Sequence, residues 1–494
     1  MKKFVKAITS LPVVLGLQFV SSAFLLYFVY NLGILPTNYF YALVAGLALL
    51  LIVMFILMRP SKEEGKGLIK IRVSKIVSLV LSIAMIVGAV YVDKSSKLLD
   101  DVSGADEQTT RFTTYVLKDS EYKSVADLDF LSIGMCKIYD KAEHYKEAYN
   151  VMFHMNSDMR IHEYDSYEAM VEDLYNGKIE AIFVNQAFHS VIEGYKETFN
   201  EDVMSWGSYD IVDHIIDISK DVNVTNSVFT IYLSGIDTTG RVSTVSRSDV
   251  NMIITVNPVT KDILMTSIPR DYYVTLDNMG KKDKLTHAGL GGIENSVKTI
   301  ENFMDIDINY YVRVNFTSVI KIVNALGGVT VNSPVSFTTR VGNYQIKKGK
   351  NKLNGEKALA FVRERYHLGG GDGDRVKNQQ RLLRAMLDKV TSPSMITRFS
   401  GVLDSVKGSF ETNMSSEDML KLIQMQLSDN AEWNFYSNVL KGTGKSMKGG
   451  AYIPNVKLYY NIPSEDSIAH GKSLIDKMMN GELLTEEDFK KDDE

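Results

Sequence analysis

Arginine and aspartate recur as near neighbours in the second half of this chain: Arg247-Ser248-Asp249, Arg270-Asp271, Arg363-Glu364-Arg365 and Asp374-Arg375. A guanidinium stays charged at physiological pH and offers a planar fork of donors matched to phosphate oxygens. Carboxylates beside it point to a divalent cation in the same place, since hard cations take oxygen ligands and often bridge to substrate phosphates. Singly these residues decide little. Asp237 lies in a glycine-containing turn, where aspartate commonly bonds nearby backbone. Arg247 with Asp249, or Arg270 with Asp271, reads equally well as a surface ion pair. Arg363 and Arg365 point the same way on an extended backbone and diverge on a helix. Together they say more, because groups that follow different elements can converge at one sheet edge, where ligand sites of α/β folds commonly form.

The elements that must carry these side chains follow from periodicity. Apolar runs at 228–234, 250–256 and 263–268 read as strands, the last two joined through Asn257-Pro258 as a hairpin. Helical spacing covers 291–304, 316–326, 354–363 and 379–390, and Gly327-Gly328 stops the second of these. Gln379 falls one helical turn beyond Arg375 on the same face. The run Gly369-Gly370-Gly371-Asp372-Gly373 permits close backbone approach, and a plain linker is its alternative. Further upstream, strands at 130–135, 159–164 and 181–184 alternate with helices at 141–152 and 166–175, a small α/β module read as a spacer or polymer-contacting unit. The polar stretch 93–110 reads as a linker, and the acidic tail 486–494 as solvated and disordered.

Three apolar stretches precede all this, at 11–30, 39–57 and 76–92. The first two meet the ~20 residues needed to cross a hydrocarbon core, and the third is at the short end. A cleaved signal peptide is the competing reading of the first. Lys2, Lys3 and Lys6 come before it, and residues 59–75 are rich in Lys and Arg, so both read as cytoplasmic and everything after about residue 93 as extracellular. Outside a cell free nucleotide is scarce, so a phosphate site there points to a lipid-linked substrate. A net charge of −5 argues against general nucleic-acid binding. One cysteine, Cys136, excludes a disulfide framework, and the histidines show no metal-binding spacing.

Over residues 228–276 and 282–380 the chain resembles the LytR–CpsA–Psr (LCP) proteins of Gram-positive bacteria. The match is carried by Gly235-Ile236-Asp237, Arg247-Ser248-Asp249, Ser267-Ile268-Pro269-Arg270-Asp271, Lys284-Leu285-Thr286-His287-Ala288-Gly289, Leu353-Asn354-Gly355-Glu356, Phe361-Val362-Arg363-Glu364-Arg365 and Asp374-Arg375 with Asn378-Gln379-Gln380. Three spans and an accessory module resemble its capsule-associated, CpsA/Wzg-like branch. The resemblance implies an α/β fold: a membrane anchor over 1–95, an accessory α/β domain over 96–222, an α-β-α catalytic domain over 223–393, and a C-terminal extension with its tail over 394–494.

It implies a phosphotransferase that moves a glycopolymer, here capsular polysaccharide, from a polyprenyl-pyrophosphate carrier to peptidoglycan with Mg²⁺. Asp237 and Asp249 would hold the metal. Arg247, Arg270, Lys284, Arg363, Arg365, Arg375 and Gln379 would hold the pyrophosphate. Arg270, Asp249 and Asp271 would act in catalysis, with Asp249 or Asp271 as the base. Lys377 stands where related sequences carry another arginine, a departure from the pattern. The apolar faces of 250–256 and 316–326 could line a slot for the isoprenoid or serve as ordinary core. The rival readings are a non-catalytic sensor of capsule assembly, acting with membrane export proteins, and a hydrolase of the same lipid.

Overall fold

The structure, a computed structural model, describes residues 9–59, 67–103, 107–122, 132–155, 159–236, 238, 241–392 and 399–492. The chain divides into two compact units. Met1–Ser103, Lys389–Lys407 and Ser415–Glu432 form one; Gly104–Asp388, Gly408–Met414 and Trp433–Glu494 form the other.

The first unit is built on the helices Leu11–Leu32, Thr37–Met58 and Gly67–Val102, each long and apolar enough to cross a membrane. Gly33, at φ +65°, ends the first in the left-handed cap that glycine adopts without strain. The third span, Ile69–Lys94, has 26 residues and is longer than the sequence pattern indicates. Lys70, Arg72 and Lys75 dilute its first turns, yet long basic side chains sit on a spanning helix by reaching towards the interface. Inside the bundle the Ser78 hydroxyl donates to Gln18 Oε1 at 2.5 Å. The short helices Phe399–Val406 and Ser416–Asp429 complete this unit, with Leu403 packed against Leu32 and Leu99.

Two large sheets form the frame of the second unit, with four two-stranded ones beside them among the described residues. The accessory sheet has five strands in the order Arg160–Tyr164, Ser132–Cys136, Ala181–Asn185, Glu107–Leu117, Val203–His214. Its first three are the strands anticipated above, here paired in parallel; the two long antiparallel ones leave no clear mark in the sequence. Glu107–Leu117 is rich in threonine, which favours strands but lowers hydropathy, so the pattern hides it. Residues 93–110 are accordingly no linker, because the third helix runs to Val102 and this strand starts at Glu107. The module is tied to the neighbouring domain by backbone hydrogen bonds and a shared core. Thr109 N–H donates to Ser243 O and Val245 N–H to Thr109 O, both at 2.8 Å. Tyr167, Phe188 and Ile192 share one apolar core with Leu290, Tyr452 and Ile453.

The larger sheet is six-stranded, in the order Phe410–Thr412, Tyr310–Val314, Phe229–Ile236, Ser248–Asn257, Asp262–Ile268, Asn434–Val439. Side chains alternate between faces along each strand. Tyr232 and Ile253, cross-strand partners, join Val297 and Ile300 of the helix Gly292–Met304 and Leu474 of the helix Glu465–Met479. The next pair, Leu233 and Met252, faces the other way, into a cavity bounded by residues from three helices. These are Phe316–Ala325, opened by an Asn315–Ser318 capping box, Gly355–Arg363, capped by Asn354, and Asp372–Val390. An α-β-α arrangement results, as the family resemblance implied. The tail departs from expectation: Glu486–Asp492 forms a 3₁₀ segment, Phe489 stacks on Tyr436, and Lys477 Nζ lies 2.8 Å from Asp488 Oδ2.

Candidate functional site

Asp249 owes its position to an irregularity of the sheet. Gly235 pairs with Val250 and Ile236 with Ser248, which leaves Asp249 as the extra residue of a bulge. A bulge re-aims a side chain out of the regular alternation. Ser248 turns inward, its Oγ 2.8 Å from Ser234 Oγ. Asp249 Oδ2 accepts from Arg270 Nη1 at 2.7 Å and Oδ1 from Thr286 Oγ1 at 3.1 Å. Burial pushes this carboxyl's pKa up, but the charges of Arg270, Arg247 and Arg375 with the Thr286 hydroxyl outweigh it. The net shift is downward, so the group is ionised at neutral pH.

The 3₁₀ segment Leu285–Gly291 braces this corner. Thr286 N–H donates to Arg270 O at 2.8 Å, and Gly289 lies so near Ser246 O and Ser248 N that any side chain there would clash. The motif from Lys284 to Gly289 therefore sets the path of Arg247–Asp249. Its histidine, His287, is turned to a buried partner, Asp283, at 3.0 Å.

The cavity has a volume of about 450 Å³. Asp249, Arg270, Arg363, Arg365, Arg375 and Gln379 line it, as does Arg340; Leu233, Met252, Val319, Ile322, Leu382 and Met386 supply apolar wall. The two kinds of residue are sorted along the elements. On the helix Asp372–Val390, Arg375 and Gln379 come first and Leu382 and Met386 follow, so the lining changes from charged to apolar over about 16 Å at 1.5 Å per residue. Phe316 opens its helix beneath the Arg363 guanidinium, 4.2 Å from ring centre to Cζ, and Val319 and Ile322 lie deeper. The result is a slot with a cationic mouth and an apolar body.

The mouth carries more positive than negative charge. Among the described residues the lining holds five arginines (270, 340, 363, 365 and 375) and two carboxylates, Asp249 and Glu364, while Asp271 and Asp372 approach Arg270 and Arg375 from outside it. Burial lowers the pKa of Arg375; Asp372, 2.8 Å from Nη2, opposes that, and the charge of Arg270 adds to it. Arg270 Nε and Arg375 Nε find no hydrogen-bond partner among the described residues. Buried donors of this kind are costly unless a ligand satisfies them, and an oxyanion would.

Arg363 is the last residue of its helix and Glu364 is extended, so Arg363 and Arg365 both reach the cavity. Glu364 is the clamp that makes this turn. Its buried carboxylate accepts from the backbone N–H of Arg340 at 2.5 Å, of Tyr366 at 2.8 Å, and of Arg365 and His367 at 3.1 Å. Burial raises its pKa and those N–H groups lower it further than that, so it stays ionised. In sequence Glu364 is visible only as the acid between two arginines, and no local pattern marks it as a clamp. Arg340 sits in a short loop without a motif, and nothing in the sequence marks it. Gln380, next to the site, is a tether instead: its Nε2 donates to Met265 O, Ser267 Oγ and Asn438 O at 2.9–3.1 Å.

Three anticipated residues stand apart from the cavity lining. Lys284 Nζ and Asp271 Oδ1 pair with each other at 3.0 Å, and Asp271 Oδ2 lies 3.7 Å from Arg270 Nε, a buttress to that guanidinium. Arg247 lines a neighbouring cleft while its charge still acts on Asp249. Asp237 lies outside the described residues. Among the described residues, no group of three or more His, Cys, Asp or Glu side chains is arranged to hold a metal by itself.

Residues 197–467 match the model of the LytR_cpsA_psr family. The chain is 36% identical over 235 residues to a polyisoprenyl-teichoic acid–peptidoglycan teichoic acid transferase, TagU, of Enterococcus faecalis, covering 47% of this chain and 76% of the relative. Identity to the Bacillus subtilis TagU is 34% over 235 residues, 47% of this chain and 75% of that one. The crystal structure of B. subtilis TagV aligns with 52% of this chain and 99% of its own, at 29% identity and a TM-score of 0.44.

Proposed function

Because the chain belongs to the LytR_cpsA_psr family, we propose that it is a membrane-anchored phosphotransferase that attaches a polyprenyl-pyrophosphate-linked glycopolymer to peptidoglycan. The observation that carries this reading is the graded slot, with an arginine mouth suited to a diphosphate and an apolar body suited to an isoprenoid. The names of the relatives, transferases of polyisoprenyl-linked teichoic acid to peptidoglycan, agree with it. Three spans and an accessory module favour capsular polysaccharide as the glycopolymer. The basic residues of 59–75 favour a cytoplasmic N-terminus and an extracellular catalytic part.

A hydroxyl of the acceptor glycan attacks the sugar-linked phosphorus. The new O–P bond forms as the bond from that phosphorus to the bridging oxygen breaks. The bridging oxygen and its electron pair leave with polyprenyl phosphate, which takes up the hydroxyl proton. Arg363, Arg365 and Arg375 neutralise the charge that would repel a nucleophile, and Arg270 stabilises charge growing on the leaving phosphate. Asp249, bound to Arg270 and with a lowered pKa, is a poor base; its role is to fix that guanidinium and to hold a cation.

Mg²⁺ is the cation proposed. An ionised carboxylate at the mouth fits it, because Mg²⁺ commonly binds through one or two carboxylates plus substrate phosphates, with Asp237 as the second. When bound it would supply further neutralisation of the diphosphate.

The test is incubation of the purified full-length protein with lipid-linked oligosaccharide, peptidoglycan fragments and Mg²⁺. Covalent attachment is expected, cut at least about a hundredfold by Asp249→Asn and abolished by chelation. Tight lipid binding with no attachment in any preparation would leave a sensor, and oligosaccharide phosphate released to water would mark a hydrolase.

A further inference from the structure

Next to the slot lies a larger, polar cleft of about 960 Å³, at the upper end of the range for ligand sites. It is built jointly: Tyr115, Gln186 and His189 come from the accessory module, Arg241 and Arg247 from the catalytic domain. Phe316 lines both spaces, so the cleft begins where the arginine mouth ends. The wall is fixed by the bidentate pair of Arg111 with Asp210, at 2.6 and 2.7 Å.

Two facts say what enters it. The first is direction. With the isoprenoid in the slot, the leaving phosphate is on the slot side, and in-line displacement brings the nucleophile from the opposite side. The second is chemistry. The lining is rich in hydroxyl and amide groups, and Ser190 Oγ and Thr238 Oγ1 have no hydrogen-bond partner among the described residues. Burial, and then the charge of Arg247, lower the pKa of His189, so its ring is neutral at pH 7 and accepts a hydrogen bond from a hydroxyl. Hydroxyl, amide and imidazole groups beside an aromatic face, with Arg111, Glu193, Asp210, Arg241 and Arg247 as charged hydrogen-bonding partners, suit sugars.

We propose that this cleft is the acceptor subsite, binding a segment of peptidoglycan glycan strand so that one sugar hydroxyl faces the diphosphate. The inference rests on the transferase reading for its direction of attack. It also gives the accessory module a function: most of the subsite's lining belongs to it.

The test uses the full-length protein and the variants Gln186→Ala and Arg241→Ala, both at exposed positions. Three quantities are measured: equilibrium binding of soluble peptidoglycan glycan fragments without donor, binding of geranylgeranyl pyrophosphate, and KM for acceptor and donor. Each variant is expected to weaken fragment binding and raise the acceptor KM about tenfold, the loss of one or two hydrogen bonds. Geranylgeranyl pyrophosphate binding and the donor KM stay at parental values, which also shows that the variants are folded. A raised donor KM with the acceptor unchanged would assign the cleft to the donor's sugars and overturn the proposal, as would no change in either. If the parent binds fragments through these residues yet transfers nothing, the subsite stands and the transferase reading falls.

Discussion

Replacing Arg270 by alanine separates the catalytic role proposed for the mouth from its structural role. The guanidinium is held 2.7 Å from Asp249 and 3.7 Å from Asp271, with side-chain exposures of 21%, 15% and 20% in that order. At an effective dielectric near 20, one such attraction is worth about 4 kcal/mol gross. Partial exposure and the desolvation recovered on breaking the pair reduce this. Asp249 also keeps Arg247, Arg375 and the Thr286 hydroxyl. A net stability loss of about 1–2 kcal/mol follows. The rate should suffer more, because a charge aimed at the leaving phosphate acts mainly in the transition state. About 10²–10³ in kcat, or about 2.7–4 kcal/mol, is the expected loss. Arg270→Lys keeps the charge without the fork and should recover only part of it. The assay is transfer of a labelled lipid-linked oligosaccharide to peptidoglycan fragments at saturating donor, with thermal unfolding measured alongside. An Arg270→Ala protein whose kcat stays within about threefold of the parent would refute the reasoning, since a single missing transition-state charge cannot cost so little.

Filling the slot gives a second test. Val319→Trp places an indole against Phe316 and Ile322 in a cavity of about 450 Å³. The KM for a polyprenyl donor should rise about tenfold or more while inorganic pyrophosphate still competes at the mouth; an unchanged donor KM would remove the apolar slot as the lipid site. Asp140 offers a pH test away from the chemistry. Its carboxylate accepts from Asn185 Nδ2 at 2.6 Å, and burial pushes its pKa up to about 7 against that hydrogen bond. The unfolded value is about 3.9, so the native state is favoured by the protonated form. That contribution is complete below about pH 4 and is lost as pH rises through 7. Asp140→Asn should match the parent in Tm near pH 4 and exceed it at pH 8, and equal Tm values at pH 8 would contradict this.

Much of the site was legible because its residues sit where local patterns change. Asp249 and Arg270 flank apolar strands, Arg375 and Gln379 share a helical face, and Arg363 and Arg365 bracket an acid. Arg340 was not, since a loop arginine has no periodicity to mark it. Nor were the strands Glu107–Leu117 and Val203–His214, because threonine, serine and aspartate suit a strand's backbone while masking its hydrophobic alternation. The tail misled in the opposite way. Its acids suggested solvation, yet the Lys477–Asp488 pair and the Phe489–Tyr436 stack hold the segment through Asp492.

Read alone, the sequence determined the class of elements, the three spans and the types of charge available, since each depends on neighbours within a few turns of chain. Tertiary structure decided which charges work together. The bulge that turns Asp249 outward needs the partner strand, and the backbone clamp of Glu364 needs the Arg340 loop. Moving Lys284 and Asp271 behind Arg270, and joining two modules around a polar cleft, needs a core shared by segments distant along the chain. Periodicity cannot encode such pairings, because long-range contacts are selected by the fit of whole surfaces rather than by any one residue's neighbours.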